Sequence, residues 1–223
     1  MGERRISLED RIHNLGSPRQ LALDICPYND INLLNVVIAA YRCLKEKNIV
    51  DQSWPEDKIT RELYVQIQIY VLKKGINTIP VHQYPIYLKK AKKGKPPTID
   101  FVFRKGFQES PYLGFECKIV NDKNTTSIKN YIYEGMFRFL SGKYARNEKV
   151  GGMTAYLINC EVLKCVNRIN EEILNNDDLT KKDILVINES IIHNFKGLYV
   201  SKHNKKKLRD MFLLYHILMQ FNT

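Results

Sequence analysis

The segment Tyr112-Leu113-Gly114-Phe115-Glu116-Cys117-Lys118-Ile119-Val120 constrains this chain more than any other. It is an apolar run of strand length that carries an acid and a lysine two residues apart. Side chains alternate along a strand, so Glu116 and Lys118 share one face and Phe115, Cys117 and Ile119 the other. Upstream, Pro97-Thr98-Ile99-Asp100-Phe101-Val102-Phe103 has the same character. Gly106, Ser110 and Pro111 lie between, so the two segments predict a hairpin with its loop at 105–111. Pairing about that centre sets Asp100 opposite Glu116. Like charges directly opposed across strands are destabilising, and carboxylates among large apolar residues are rare without a partner. A divalent cation is the natural compensation, and hard oxygens suit Mg²⁺. Lys118 adds a cation beside the site, to position or help deprotonate a water, or to stabilise developing phosphate charge. The other acid-x-Lys triplet, Glu56-Asp57-Lys58, lacks the apolar strand context.

Periodicity places the remaining elements. Residues 1–20 are polar and aperiodic, a loose arm or a short helix. Leu33, Leu34, Val37, Ala40, Tyr41 and Leu44 give a helix over 30–47. Ser53-x-x-Glu56 with Pro55 reads as a capping box. It opens a helix to about Lys74 with Ile59, Leu63, Ile67, Tyr70 and Val71 inward, ended by Gly75. A strand follows over 81–88, demoted to an edge or a bulge by Pro85. After the hairpin come a helix over 126–144, a strand over 153–160, a helix over 162–174 and a strand over 198–202. Leu208, Met211, Phe212, Tyr215 and Leu218 then predict a final helix over 205–221. A mixed sheet with helices on both faces is the simplest architecture for this order. No repeat or linker marks a second domain. Residues 1–50 read as an arm and helix packed on the core, and 51–223 as the main domain.

At 44% hydrophobic residues the chain can bury a core, and 35 Lys+Arg against 24 Asp+Glu give a net charge of +11. Nucleic acid, an anionic membrane surface or an acidic protein all fit that charge. Lysines cluster at Lys89, Lys90, Lys92, Lys93 and Lys95, and again at Lys205, Lys206 and Lys207. No run of about 18 apolar residues is present, and no apolar stretch of a secretory leader follows Met1. The expectation is a cytoplasmic chain with no membrane partner. The five cysteines read as reduced core residues, and Cys160-x4-Cys165 lacks the second pair of a zinc motif. Walker loop, GxGxxG, GxSxG and HExxH motifs are absent, which removes the commonest nucleotide-binding, serine-hydrolase and zinc-protease readings.

The order of elements, with Asp100 and Glu116-x-Lys118 on adjacent strands, resembles the PD-(D/E)XK nuclease superfamily. The resemblance implies an α/β, restriction-endonuclease-like fold: a central mixed β-sheet flanked by helices, with extra N- and C-terminal helices. The α-β-β-β-α-β core corresponds to the helix near 56–74, the strands near 81–88, 98–104 and 112–120, the helix near 126–144 and the strand near 153–160. Pro97 stands three residues before Asp100 rather than beside it. The resemblance implies that Asp100 and Glu116 hold the metal with the Cys117 carbonyl, and that Lys118 is catalytic. For the acid that members add from the first core helix, Glu62 is the expected match. Glu56 is the rival, already occupied by its capping box, and Gln66 lies one turn beyond Glu62. Arg138 is the candidate for the scissile phosphate. Lys143, the loop lysines Lys92 and Lys93, and His203 of Tyr199-x-Ser201-x-His203 are further candidate nucleic-acid contacts. The implied activity is Mg²⁺-dependent hydrolysis of nucleic acid, with Mn²⁺ as a substitute and DNA favoured, in restriction or defence against foreign DNA. A homodimer or a partner subunit is compatible with it. Two other readings stand beside it: a non-catalytic nucleic-acid-binding or scaffold protein of the same fold, and an interaction subunit for an acidic partner.

Overall fold

Strand segments that alternate between two apolar faces build one seven-stranded mixed sheet, seen in a computed structural model. The structure describes residues 30–86, 96–104, 112–181, 183–187, 192, 194–204 and 211–221. The strands are β1 (Ile79–Pro85), β2 (Thr98–Arg104), β3 (Tyr112–Val120), β4 (Val150–Ile158), β5 (Val186–Ile187), β6 (Leu198–Asn204) and β7 (Met211–Phe221). Their spatial order is β1-β2-β3-β4-β7-β6-β5. β3 and β7 flank β4 in parallel, and the other neighbours are antiparallel.

Helices α1 (Asp30–Glu46) and α2 (Glu56–Lys74) cover one face. They share a core with Phe101, Phe103, Phe115, Cys117, Tyr156 and Ile217. The opposite face carries α3 (Thr125–Tyr131), a π-helical turn over Ile132–Met136, the short α4 (Phe137–Leu140) and α5 (Val162–Leu174). These pack on Val102, Met153, Ala155, Leu157, Leu214 and Leu218. Among the described residues, no helix is long and apolar enough to cross a membrane.

Four expectations change. The segment 211–221 is a strand, not a helix, so no C-terminal helix exists among the described residues. Phe212, Leu214 and Leu218 enter one core and Tyr215, Ile217, Met219 and Phe221 the other. A central strand covered on both faces is apolar throughout, and such a run also satisfies helical spacing. The helix expected over 126–144 is interrupted by the π turn, where Gly135 admits Met153: a Cβ on Gly135 would lie 2.3 Å from Met153 Cε. The capping box does not form. Pro55 is the N-cap residue, and Ser53 gives its N–H and hydroxyl to Asp51 Oδ1. Finally, Cys160 and Cys165 are joined as a disulfide rather than reduced, because the first turn of α5 brings their Cα atoms to 6.8 Å. Cys43 and Cys117 are free.

β1 is the sheet edge that Pro85 foretold, and Pro85 closes it. β2 is distorted. Ile99 and Phe101, two residues apart, enter opposite cores, so the strand's alternation breaks at Asp100. Gln83, which the register would set against Asp100, has a φ of 47°, while its neighbours His82 and Tyr84 pair normally with Phe101 and Ile99. Such interruptions re-aim a side chain.

Candidate active site

β3 pairs with β2 only from Tyr112 to Phe115, and with β4 from Phe115 to Val120. Beyond Phe115, β2 stays with β1 and leaves the other edge of β3 open. Buried backbone donors without partners are costly, and here two carboxylates satisfy them. Cys117 N–H donates to Asp100 Oδ2 at 2.6 Å, and Ile119 N–H donates to Glu56 Oε2 at 2.9 Å. The expected opposition of Asp100 to Glu116 is thus realised as a gap in the ladder filled by side chains.

The Lys118 ammonium sits in that gap, within a ring of oxygens. It lies 2.8 Å from Glu56 Oε1, 3.2 Å from Glu116 Oε1 and 2.7 Å from the Cys117 carbonyl. Arg138 closes the other side. Its Nη1 donates to Glu116 Oε1 and to the Tyr144 hydroxyl, each at 2.8 Å, and Nη2 donates to Glu134 Oε2 at 2.9 Å. The Tyr144 hydroxyl in turn donates to the Thr98 carbonyl. Glu116 is only 2% exposed, and its Oε2 is buried with no hydrogen-bond partner. Four carboxylates, Glu56, Asp100, Glu116 and Glu134, face two cations and leave two formal negative charges when all are ionised.

Burial governs the protonation of this set. It pushes the Glu116 carboxyl up from 4.5 to about 7; the Asp100 charge adds to the rise, and Lys118 and Arg138 oppose it. Burial also raises Asp100 from 3.8 to about 6, only partly offset by the Cys117 N–H and the Lys118 charge. Burial works against the Lys118 charge as well, but the Glu116 and Glu56 carboxylates outweigh it and raise its pKa. Arg138 follows the same pattern, with Glu134 and Glu116 outweighing burial. The acceptors are therefore all hard oxygen, with Glu116 held partly protonated near neutrality by burial and one of its oxygens orphaned. Glu56, Asp100, Glu116 and the Cys117 carbonyl are oxygen ligands of the type a hard cation takes, and the Lys118 ammonium stands between Glu56 and Glu116.

Asp100, Glu116, Cys117 and Lys118 come together as their strands predict, and Arg138 joins them through Glu116. Glu62 does not: no hydrogen bond or ion pair links it to the set, and Glu56 supplies the helix carboxylate instead. Six residues turn a helix so that Glu62 faces roughly 120° away from Glu56. The signal was legible, because Glu56 continues the inward stripe of Thr60, Leu63 and Ile67; the apparent capping motif masked it. Gln66, on the side of Glu62, accepts from Cys43 Sγ instead. Lys143 is half-buried near Glu134, whose pKa its charge helps to lower after the larger effect of Arg138. Lys92 and Lys93 lie outside the described residues. His203 is corrected: at 2% exposure it cannot meet a phosphate, because Asp183 and Ser201 hold its two ring nitrogens. Sequence reasoning also missed Glu134, which fixes Arg138 from one turn before it, and Tyr144, which fixes it from beyond the end of α4.

Comparison of this chain with family models, with curated proteins and with solved structures gives no match.

Proposed function

We propose that this chain is a Mg²⁺-dependent nuclease with a restriction-endonuclease-like core, hydrolysing phosphodiester bonds of nucleic acid, with DNA favoured. The carrying observation is the gathering of Glu56, Glu116 and the Cys117 carbonyl around the Lys118 ammonium, with Asp100 holding the Cys117 N–H and Glu116 Oε2 left unpartnered. Structural ion-pair networks perturb pKa values too, but they do not require an orphaned carboxylate oxygen. The net charge of +11 suits a polyanionic substrate. Restriction or defence against foreign DNA, in the cytoplasm, is the setting that fits the reading.

Magnesium bound there supplies a Lewis acid for a phosphodiester oxygen and makes a water more acidic. Asp100, Glu116, Glu56 and the Cys117 carbonyl are the groups that would hold it. Lys118 is the proton-bearing cation of the site, and its ammonium is placed to stabilise charge on the phosphate. Glu56 orients Lys118 and at the same time ties α2 to β3 through the Ile119 N–H. Arg138 brings a second positive charge, held at a fixed angle by Glu134 and Tyr144. The test is cleavage of plasmid, single-stranded DNA and RNA with and without Mg²⁺. Mg²⁺-dependent cleavage that Asp100→Asn and Lys118→Ala both remove supports the reading, and cleavage undiminished by either sinks it.

One observation favours the non-catalytic reading: Lys118 and Arg138 already pair with the acids, as in a closed structural network. Calorimetric titration with Mn²⁺ separates the two. Binding abolished by Asp100→Asn supports the enzyme; nucleic-acid binding with no such Mn²⁺ site supports the scaffold.

A further inference from the structure

A second cluster lies just past the C-terminal end of the strand that carries Glu116 and Lys118. Asp122 follows β3, Cys160 follows β4, and Cys165 sits in the first turn of α5. One ligand atom from each, the two sulfurs and a carboxylate oxygen, lies within 4.8 Å of both others. The turn holding Asp122 is braced on both sides. Asn124 N–H donates to the Asn121 carbonyl at 3.0 Å, and Asn121 N–H donates to Ser127 Oγ at 3.0 Å. Asn121 Oδ1 accepts from Lys123 N–H at 2.9 Å. Cys160 follows Asn159, whose φ of 54° turns the chain from β4 toward α5. Within this braced turn, Asp122 Oδ1 is buried and has no hydrogen-bond partner. A carboxylate with one buried oxygen lacking any donor, beside two sulfurs, is the arrangement a cation completes.

We propose that Asp122, Cys160 and Cys165 form a redox-gated site for Zn²⁺ or a similar thiophilic divalent ion. Two sulfurs and one oxygen make a softer set than the all-oxygen site, so this position selects zinc over magnesium. Ligands about 2.0–2.3 Å from a tetrahedral ion stand roughly 3.5 Å apart, so the two sulfurs, bonded to each other here, move apart on reduction to take the ion. The fourth position opens on a cleft of about 320 Å³ lined in part by Glu161 and Lys164. The positive end of α5 favours two thiolates at its start.

In this structure the sulfurs are joined to each other. A dithiol reductant breaks that bond by exchange: its two S–H groups become its own disulfide, and two electrons and two protons pass to Cys160 and Cys165. The ion then replaces the two thiol protons, which leave to solvent. Either state clamps the ends of β3 and β4 to α5, but only the reduced state holds metal.

The test uses the full chain and Co²⁺ as a spectroscopic probe, after reduction with a phosphine that does not ligate the ion. The expected result is one equivalent of Co²⁺ bound with a thiolate-to-cobalt charge-transfer band that Zn²⁺ abolishes. The disulfide form gives no band. Cys160→Ser with Cys165→Ser removes the band, and Asp122→Asn weakens Co²⁺ binding by at least about 10-fold. Asp100→Asn leaves the band unchanged, which separates this site from the proposed nuclease centre. Absence of the band in the reduced chain, its persistence without both cysteines, or affinity unchanged by Asp122→Asn overturns the proposal. Asp122→Asn removes no sulfur, so it decides the matter even if the double cysteine variant does not fold.

Discussion

Glu116→Gln is expected to stabilise the metal-free protein at alkaline pH while abolishing its metal binding. The Glu116 pKa is raised on folding, from 4.5 to about 7. Its contribution to stability is therefore full below 4.5 and is lost as pH rises through about 7. At roughly 1.4 kcal/mol per pH unit between those values, ionised Glu116 costs the fold about 3 kcal/mol at pH 8 and under about 1 kcal/mol at pH 5. Glutamine keeps an acceptor for Lys118 and Arg138, exchanges one unpartnered buried atom for another, and does not ionise. The variant should gain about 2–3 kcal/mol on the parent between pH 5 and pH 8. For a chain of this size that is roughly 5–10 °C in Tm. Thermal melts in a chelator at the two pH values read it directly. Mg²⁺ should then raise the parent's Tm at pH 8 and leave the variant's unmoved. An equal difference between parent and variant at both pH values would refute the account of Glu116 as a carboxyl whose pKa burial raises.

Mn²⁺ affinity should climb between about pH 6 and 7 and level off above, as Asp100 and Glu116 give up protons to the ion; calorimetry in buffers of different ionisation enthalpy would detect the release. Lys118→Ala should eliminate cleavage and, in the absence of metal, cost about 1–3 kcal/mol in denaturant melts, because buried Glu116 keeps only Arg138 and half-buried Glu56 loses its cation. Glu56→Ala should cost about 1–3 kcal/mol by orphaning the Ile119 N–H, whereas Glu62→Ala should stay within about 0.5 kcal/mol. Gly152→Ala should destabilise by about 1–3 kcal/mol, because a Cβ there would fall 2.2 Å from the Phe115 ring.

The site's centre was readable because strand alternation is a short-range rule. Once 98–104 and 112–120 are strands about a common loop, Asp100, Glu116 and Lys118 have to meet. The mixed sheet with helices on both faces was readable for the same reason. Glu56 was lost where two local rules competed: its place in the inward stripe of α2 was correct, and the sequence pattern of a capping box pointed elsewhere. β7 was lost because a segment apolar on both faces has no period to read. The π turn before Arg138 and the break at Asp100 arise from packing against Met153 and from the backbone of Gln83, neither of which leaves a pattern in nearby residues. His203 looked like an exposed polar residue because its buried partners, Asp183 and Ser201, complete a network that only the folded sheet assembles.

The place of β7 has a consequence for how the sheet is assembled. Among the described strands it comes latest in the chain, yet it lies between β4 and β6, and no pairing joins the β1–β4 group to β5 and β6 without it. Until Met211–Phe221 has been made, the flank of β4 that β7 covers has no described strand of this sheet to pair with. Open flanks of this kind invite pairing with other chains. Met211–Phe221 is therefore the segment that both joins the two groups of strands and covers that flank.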